Sequence, residues 1–216
     1  MGKQTTKIEI LLDETVKDNV FFQTVTSFEI NKIELFKYAI MMWEVPSNIV
    51  ESDFDYLQSK VPAFESLLSD FIDFNDNTVY NLSNDDRVKK TVSEAVGVGL
   101  GLKYSTILLK TNPNKFKKIG VPKEGKYLDY STIKESKEYE IETKGTVNKN
   151  YNSMKNDILT KKNNTTLKPV LLRFGTISLI KNENDKTISK CVVVDDPPEE
   201  IFTDKDDTFS TQLLNY

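Results

Sequence analysis

The sequence predicts a mixed α/β fold, with a central mixed sheet flanked by helices and an N-terminal α/β elaboration. Three observations carry that expectation. After residue 83 the pattern runs helix, three strands, helix, two strands, which fits a sheet covered by helices better than a bundle or sandwich. A chain of 216 residues with 38% hydrophobic content can bury one large core. Residues 1 to 82 hold most of the aromatic side chains, among them Phe21, Phe22, Phe28, Phe36, Trp43 and Phe64, and so read as a packed N-terminal part.

Taken in order, strands are expected near 7 to 12 and 20 to 30. Asn31, with Glu34 three residues on, signals an N-cap for a helix from about 32 to 43. Pro46 and Pro62 punctuate two further short helices, around 52 to 60 and 63 to 74. Ser83-Asn84-Asp85-Asp86 supplies caps and acids that suit a helix dipole, and Val88, Val92, Ala95 and Val96 follow at helical spacing, so a helix is expected over about 85 to 109. Gly97, Gly99 and Gly101 inside it signal close packing against another element. Beyond Asn112-Pro113-Asn114 the pattern becomes that of strands over 116 to 121, 127 to 133 and 138 to 145. A polar helix follows over 151 to 162, then strands over 169 to 180 and 189 to 194. The chain thus divides into an N-terminal part, 1–82, a core, 83–195, and an acidic C-terminal segment, 196–216.

Histidine is absent, which removes Ser-His-Asp and Cys-His catalysis, histidine zinc sites and imidazole proton shuttles together. Carboxylates, lysines and hydroxyls remain, and carboxylates with a hard cation are the obvious toolkit. Cys191 is the lone cysteine and sits in an apolar run, as a buried structural thiol would. No apolar stretch approaches the roughly 20 residues of a membrane span, and the start lacks a signal peptide's apolar region, so no membrane partner and a cytoplasmic location are expected.

The net charge of −4 hides an uneven distribution. Residues 103 to 168 contain 15 Lys against 7 Asp and Glu, whereas residues 195 to 207 are strongly acidic. Lys115, Lys117, Lys118, Lys149, Lys155, Lys161 and Lys162 lie in the basic stretch and are candidate contacts for a phosphate backbone. A merely solubilising surface is the bland alternative.

The chemistry concentrates in Tyr139-Glu140-Ile141-Glu142-Thr143-Lys144-Gly145. On a strand, Glu142 and Lys144 point the same way, about 7 Å apart, with Thr143 on the opposite face. Glu-x-Lys alone is weak, since Glu124-Gly125-Lys126 and Glu135-Ser136-Lys137 also match. Those two fall in apparent turns, whereas the strand holding Glu142 pairs naturally as a hairpin with Tyr127-Leu128-Asp129-Tyr130-Ser131, which brings Asp129 alongside.

Asp129, a turn and then Glu142-Thr143-Lys144-Gly145 resembles the signature of the PD-(D/E)xK nuclease superfamily, and the resemblance spans about 84 to 195. Leu128 stands where the family's name has proline. The resemblance implies a restriction-endonuclease-like core and a Mg²⁺- or Mn²⁺-dependent nuclease acting on nucleic acid, DNA in the first instance. It implies Asp129, Glu142 and Lys144 as catalytic residues. Asp129, Glu142 and the backbone carbonyl of Thr143 would hold the metal, with Glu94 of the preceding helix reaching it directly or through water. Lys144 would orient or help deprotonate the attacking water. A homodimer or a protein partner would engage the N-terminal part. The alternatives are a solvated ion-pair ladder on the strands, an ordinary surface acid at Glu94, and an inactive relative that serves as a binding or assembly module. Gly97-Val98-Gly99-Leu100-Gly101 lacks GxGxxG spacing and follows a helical pattern, so it is not a dinucleotide loop.

Overall fold

The computed structural model describes residues 5–45, 53–75, 78–120, 127–164, 170–183, 185 and 187–194. The acidic segment 196–216 and the Glu124-Gly125-Lys126 triplet lie outside them. The chain folds around a mixed sheet with helices on both faces, as the element order predicts.

The N-terminal elements are β1 (Thr5–Leu12), α1 (Val20–Gln23), β2 (Ser27–Asn31), α2 (Lys32–Ala39), α3 (Asp53–Gln58), α4 (Val61–Leu68), β3 (Ile72–Asn75) and β4 (Thr78–Asn81). Helix α5 (Asp86–Leu108) leads into β5 (Lys117–Lys118), β6 (Tyr130–Lys134), β7 (Lys137–Thr146), α6 (Asn152–Asn164), β8 (Leu172–Leu179), β9 (Lys181–Asn182) and β10 (Lys190–Val194). Among the described residues, seven strands make the main sheet in the order β2-β1-β10-β8-β7-β6-β5, and β3-β4-β9 form a small second sheet.

Two N-terminal expectations are corrected. The strand expected over 20 to 30 begins as α1, because the Asn19 side chain accepts the Phe21 N–H and turns the chain so that Phe22 is buried, and only 27 to 31 is extended. The helix expected over 63 to 74 stops at Leu68, and Ile72–Asn75 pairs instead with Thr78–Asn81. Residues 1–82 share the main sheet with the 83–195 region. β1 pairs in parallel with β10, and β1 and β2 together extend the sheet of the 83–195 region. The strand expected over 116 to 121 is confined to Lys117–Lys118 within the described residues.

The helices that flank the site are set by small residues. A Cβ on Gly145 would lie 1.8 Å from the Ser93 carbonyl oxygen, and one on Gly97 would lie 2.4 Å from the Gly145 nitrogen. Only glycine permits this approach of α5 to β7. A Cβ on Gly101 would meet the side chains of Thr176 and Thr143, so α5 covers the sheet face that carries those residues. On the opposite face, Ile158 of α6 fills the space above Gly175 and packs with Ile177, Val192 and Val194. Because side chains alternate along a strand, Glu140, Glu142 and Lys144 must point toward α6.

Among the described residues no helix is long and apolar enough to cross a membrane. Cys191 is buried on β10, and burial pushes its thiol up to about 12.

Candidate functional site

Two strands and one helix build the site. A two-residue turn, with Glu135 and Ser136 at φ of 52° and 63°, reverses the chain between β6 and β7 and fixes the register that pairs Tyr130 with Ile141. One step beyond that pair, the same register sets Asp129 opposite Glu142. Pairing with β6 ends at Ile141, while β7 continues alongside β8 to Thr146. Thr143 therefore lies on a stretch with no β6 neighbour; its side chain meets α5 at Gly101, and its buried hydroxyl has no hydrogen-bond partner among the described residues.

Glu142 has no solvent exposure. Its Oε1 receives two ammonium groups, Lys144 Nζ at 2.6 Å and Lys161 Nζ at 2.5 Å. Its Oε2 is buried with no hydrogen-bond partner among the described residues. Lys161 also lies 3.5 Å from Asp129 Oδ1, so one ammonium touches both carboxylates. Lys144 reaches Asp157 Oδ2 on α6 at 3.2 Å. Beside this group Arg173 Nε donates to Glu140 Oε2 at 2.7 Å, which extends the charged stripe along the α6 side of β7.

Burial raises the Glu142 carboxyl above its ordinary range and the Asp129 charge adds to this, while Lys144 and Lys161 pull the other way without cancelling it. Burial works against the charged form of Lys144, but the charge and hydrogen bond of Glu142, then Asp129 and Asp157, outweigh it and raise its pKa. Lys144 is thus held as an ammonium, suited to orienting an oxygen or a phosphate rather than accepting a proton. Burial also lifts the Tyr130 phenol well above its usual value, and Asp129, Glu94 and Glu142 add to that shift. The phenol donates to the Met41 carbonyl at 3.3 Å.

Asp129, Glu142 and Lys144 are therefore brought together as the hairpin reading expects. Glu94 is exposed on α5, which covers the other face of the sheet, and its charge reaches the group only as one of three felt by Tyr130. Among the described residues no set of three acidic, cysteine or histidine side chains is close enough to hold one metal ion.

The candidate phosphate contacts divide. Lys115 and Lys117 are exposed. Lys149 is exposed and pairs with Asp185 at 3.8 Å. Lys118 donates to the Met42 and Trp43 carbonyls, Lys155 to Asp13 at 2.6 Å, and Lys161 to Glu142, while Lys162 is buried. Much of the basic stretch thus ties the chain to itself. Sequence reading missed the roles of Asp157 and Lys161 as partners of the site. Their i, i+4 spacing was a visible signal, but the rotation of α6 that turns them inward is set by Ile158 packing on Gly175.

No protein-family model, no curated protein and no solved structure matches this chain.

Proposed function

We propose that this chain is a metal-dependent phosphodiesterase, a nuclease of the PD-(D/E)xK type that acts on nucleic acid, with DNA the first substrate to test. One observation carries the reading: Asp129 and Glu142 share a single ammonium, with Lys144 on the same side of the strand. Two carboxylates that already share one cation have the donor chemistry that a hard divalent ion takes. Glu142 Oε2, buried and without a hydrogen-bond partner among the described residues, is a further acceptor on the same carboxylate.

Mg²⁺ or Mn²⁺ bound there would lower the pKa of its water and offset charge building on the phosphate, which removes the need for a histidine base. Asp129 and Glu142 would hold the ion with the Thr143 backbone carbonyl beside them, whereas Glu94, exposed on α5 over the other face of the sheet, is not placed to join them. Lys144, kept charged, would orient the attacking water or a phosphate oxygen. Lys115, Lys117 and Lys149 are exposed lysines of the basic stretch that suit backbone contacts, and binding through them should weaken steeply with salt.

The test is supercoiled plasmid incubated with Mg²⁺ or Mn²⁺, beside Lys144→Ala. Nicking by the wild type with a loss of about 100-fold or more in the variant is expected for a positioned group of this kind. Equal nicking by both, or none by either across DNA and RNA substrates, overturns the reading.

A second reading has its own observation. Lys144 and Lys161 already counter the Glu142 charge without a metal. An inactive relative that keeps this fold as a binding or assembly module would look the same, and it would take up no divalent ion.

A further inference from the structure

We propose that Lys161 is a built-in counter-ion of the unloaded site, an ammonium that must leave the Asp129–Glu142 pair before a divalent cation can enter. The inference rests on the metal-dependent reading above and assigns a role to the lysine that reading leaves as a marker of the site.

The two ammonium groups on Glu142 are not equivalent. Lys144 comes from the same strand, two residues on, and its second partner is Asp157 on the helix side. Lys161 comes from the last turn of α6 and bridges Glu142 to Asp129, at 2.5 and 3.5 Å. It stands between the two carboxylates that a divalent ion would need to share. Its side chain is 21% exposed, so it already reaches solvent. A lysine stem is flexible, so the ammonium can swing outward without displacement of α6, which Ile158 and the Lys155–Asp13 pair also hold to the sheet.

Physical necessity gives the bridge a purpose. A carboxylate with no solvent exposure is costly when unpaired, and a second carboxylate beside it adds repulsion. An ammonium lent by α6 lowers that cost while the site is empty. A divalent ion brings two charges where the ammonium brings one, so the exchange is favourable only above a threshold metal concentration. Once displaced, the Lys161 ammonium is left at the solvent side of the site, where an approaching phosphate would meet it.

The sign of one variant separates this role from a structural one. Removal of a residue that merely supports the site weakens metal binding, whereas removal of a competitor strengthens it. Mn²⁺ is titrated by calorimetry into the full chain, into Lys161→Met, and into Lys161→Gln, which keeps a donor for Glu142 and carries the test should the methionine variant fail to fold. Lys149→Met, whose lysine is exposed and paired with Asp185, controls for a general loss of positive charge. Binding about ten-fold tighter in the Lys161 variants, with less than a two-fold change in Lys149→Met, is the expected result, since a direct competitor acts by mass action. Mn²⁺ should also raise the melting temperature of the Lys161 variants more than that of the wild type. Mn²⁺ that binds the wild type and binds the folded Lys161 variants no more tightly overturns the counter-ion role and leaves the metal site standing. Mn²⁺ that binds none of these proteins at millimolar concentration overturns both.

Discussion

At Glu142, burial and the Asp129 charge push the carboxyl's pKa upward, and the pull of Lys144 and Lys161 does not offset them. The linkage has a definite sign. A folded-state pKa above the unfolded value, 4.5 here, means that stability is fully present below that pH and is lost as pH rises through the folded pKa. Glu142→Gln, a neutral isostere, should therefore be as stable as the wild type or more so at pH 7, with the gap closing at pH 4, as urea unfolding at the two pH values would show. Activity retained at a stability cost is what a functional carboxylate is expected to display. Asp13 behaves oppositely. Burial would raise its pKa, but the hydrogen bonds from Lys155 and Thr15 outweigh this and lower it below 3.8. Its contribution is present above that pH and is lost as pH falls further. Asp13 ties the start of α6 to the end of β1 through Lys155 and Tyr151. Asp13→Asn should cost roughly 1–3 kcal/mol at pH 7 by chemical denaturation, in line with hydrogen bonds to a charged group.

The elements that were legible in the sequence are those whose signals are local. Helix α5 starts where the Ser83–Asp86 run predicts, with Asp85 capping the Arg87 and Val88 N–H groups, and Asn31 caps α2 through the Glu34 N–H. The glycines of α5 predict its close packing, which the structure resolves as contact with the backbone of β7 at Gly145. Gly97→Ala should push α5 off β7 and destabilise the fold by about 3 kcal/mol, the upper end for overpacking, read as a shift in denaturant midpoint. The hairpin turn offers the opposite opportunity. Glu135 and Ser136 both adopt positive φ, a conformation that asparagine and glycine tolerate far better. Replacing the pair by Asn-Gly should add about 1 kcal/mol without loss of metal or substrate binding. The helical expectation over 63 to 74 overruns into β3 because so short a segment fits either period, and what fixes the small sheet is pairing with β4 and, through it, with β9, about one hundred residues away.

Across the whole molecule, the N-terminal residues complete the sheet. β1 joins β10 in parallel, α2 packs on α5 through Leu35 against Gly99, and Lys103 of α5 pairs with Glu34 of α2. A fragment of residues 83–195 should therefore unfold at lower temperature and less cooperatively than the full chain, as circular dichroism would report. This long-range closure was not legible, since nothing in residues 5–12 names its partner at 190–194. The site was legible in part for the same reason. Asp129, Glu142 and Lys144 follow from strand period and one local hairpin, whereas Lys161 and Asp157 depend on how α6 is rotated over the sheet. The most direct measurement is a calorimetric titration of Mn²⁺ into the wild type and into Glu142→Gln at pH 7, each first shown to unfold cooperatively. Saturable binding in the wild type and none in the folded variant is the expected result. No binding in the wild type, or equal binding in both, contradicts a metal site built on Asp129 and Glu142.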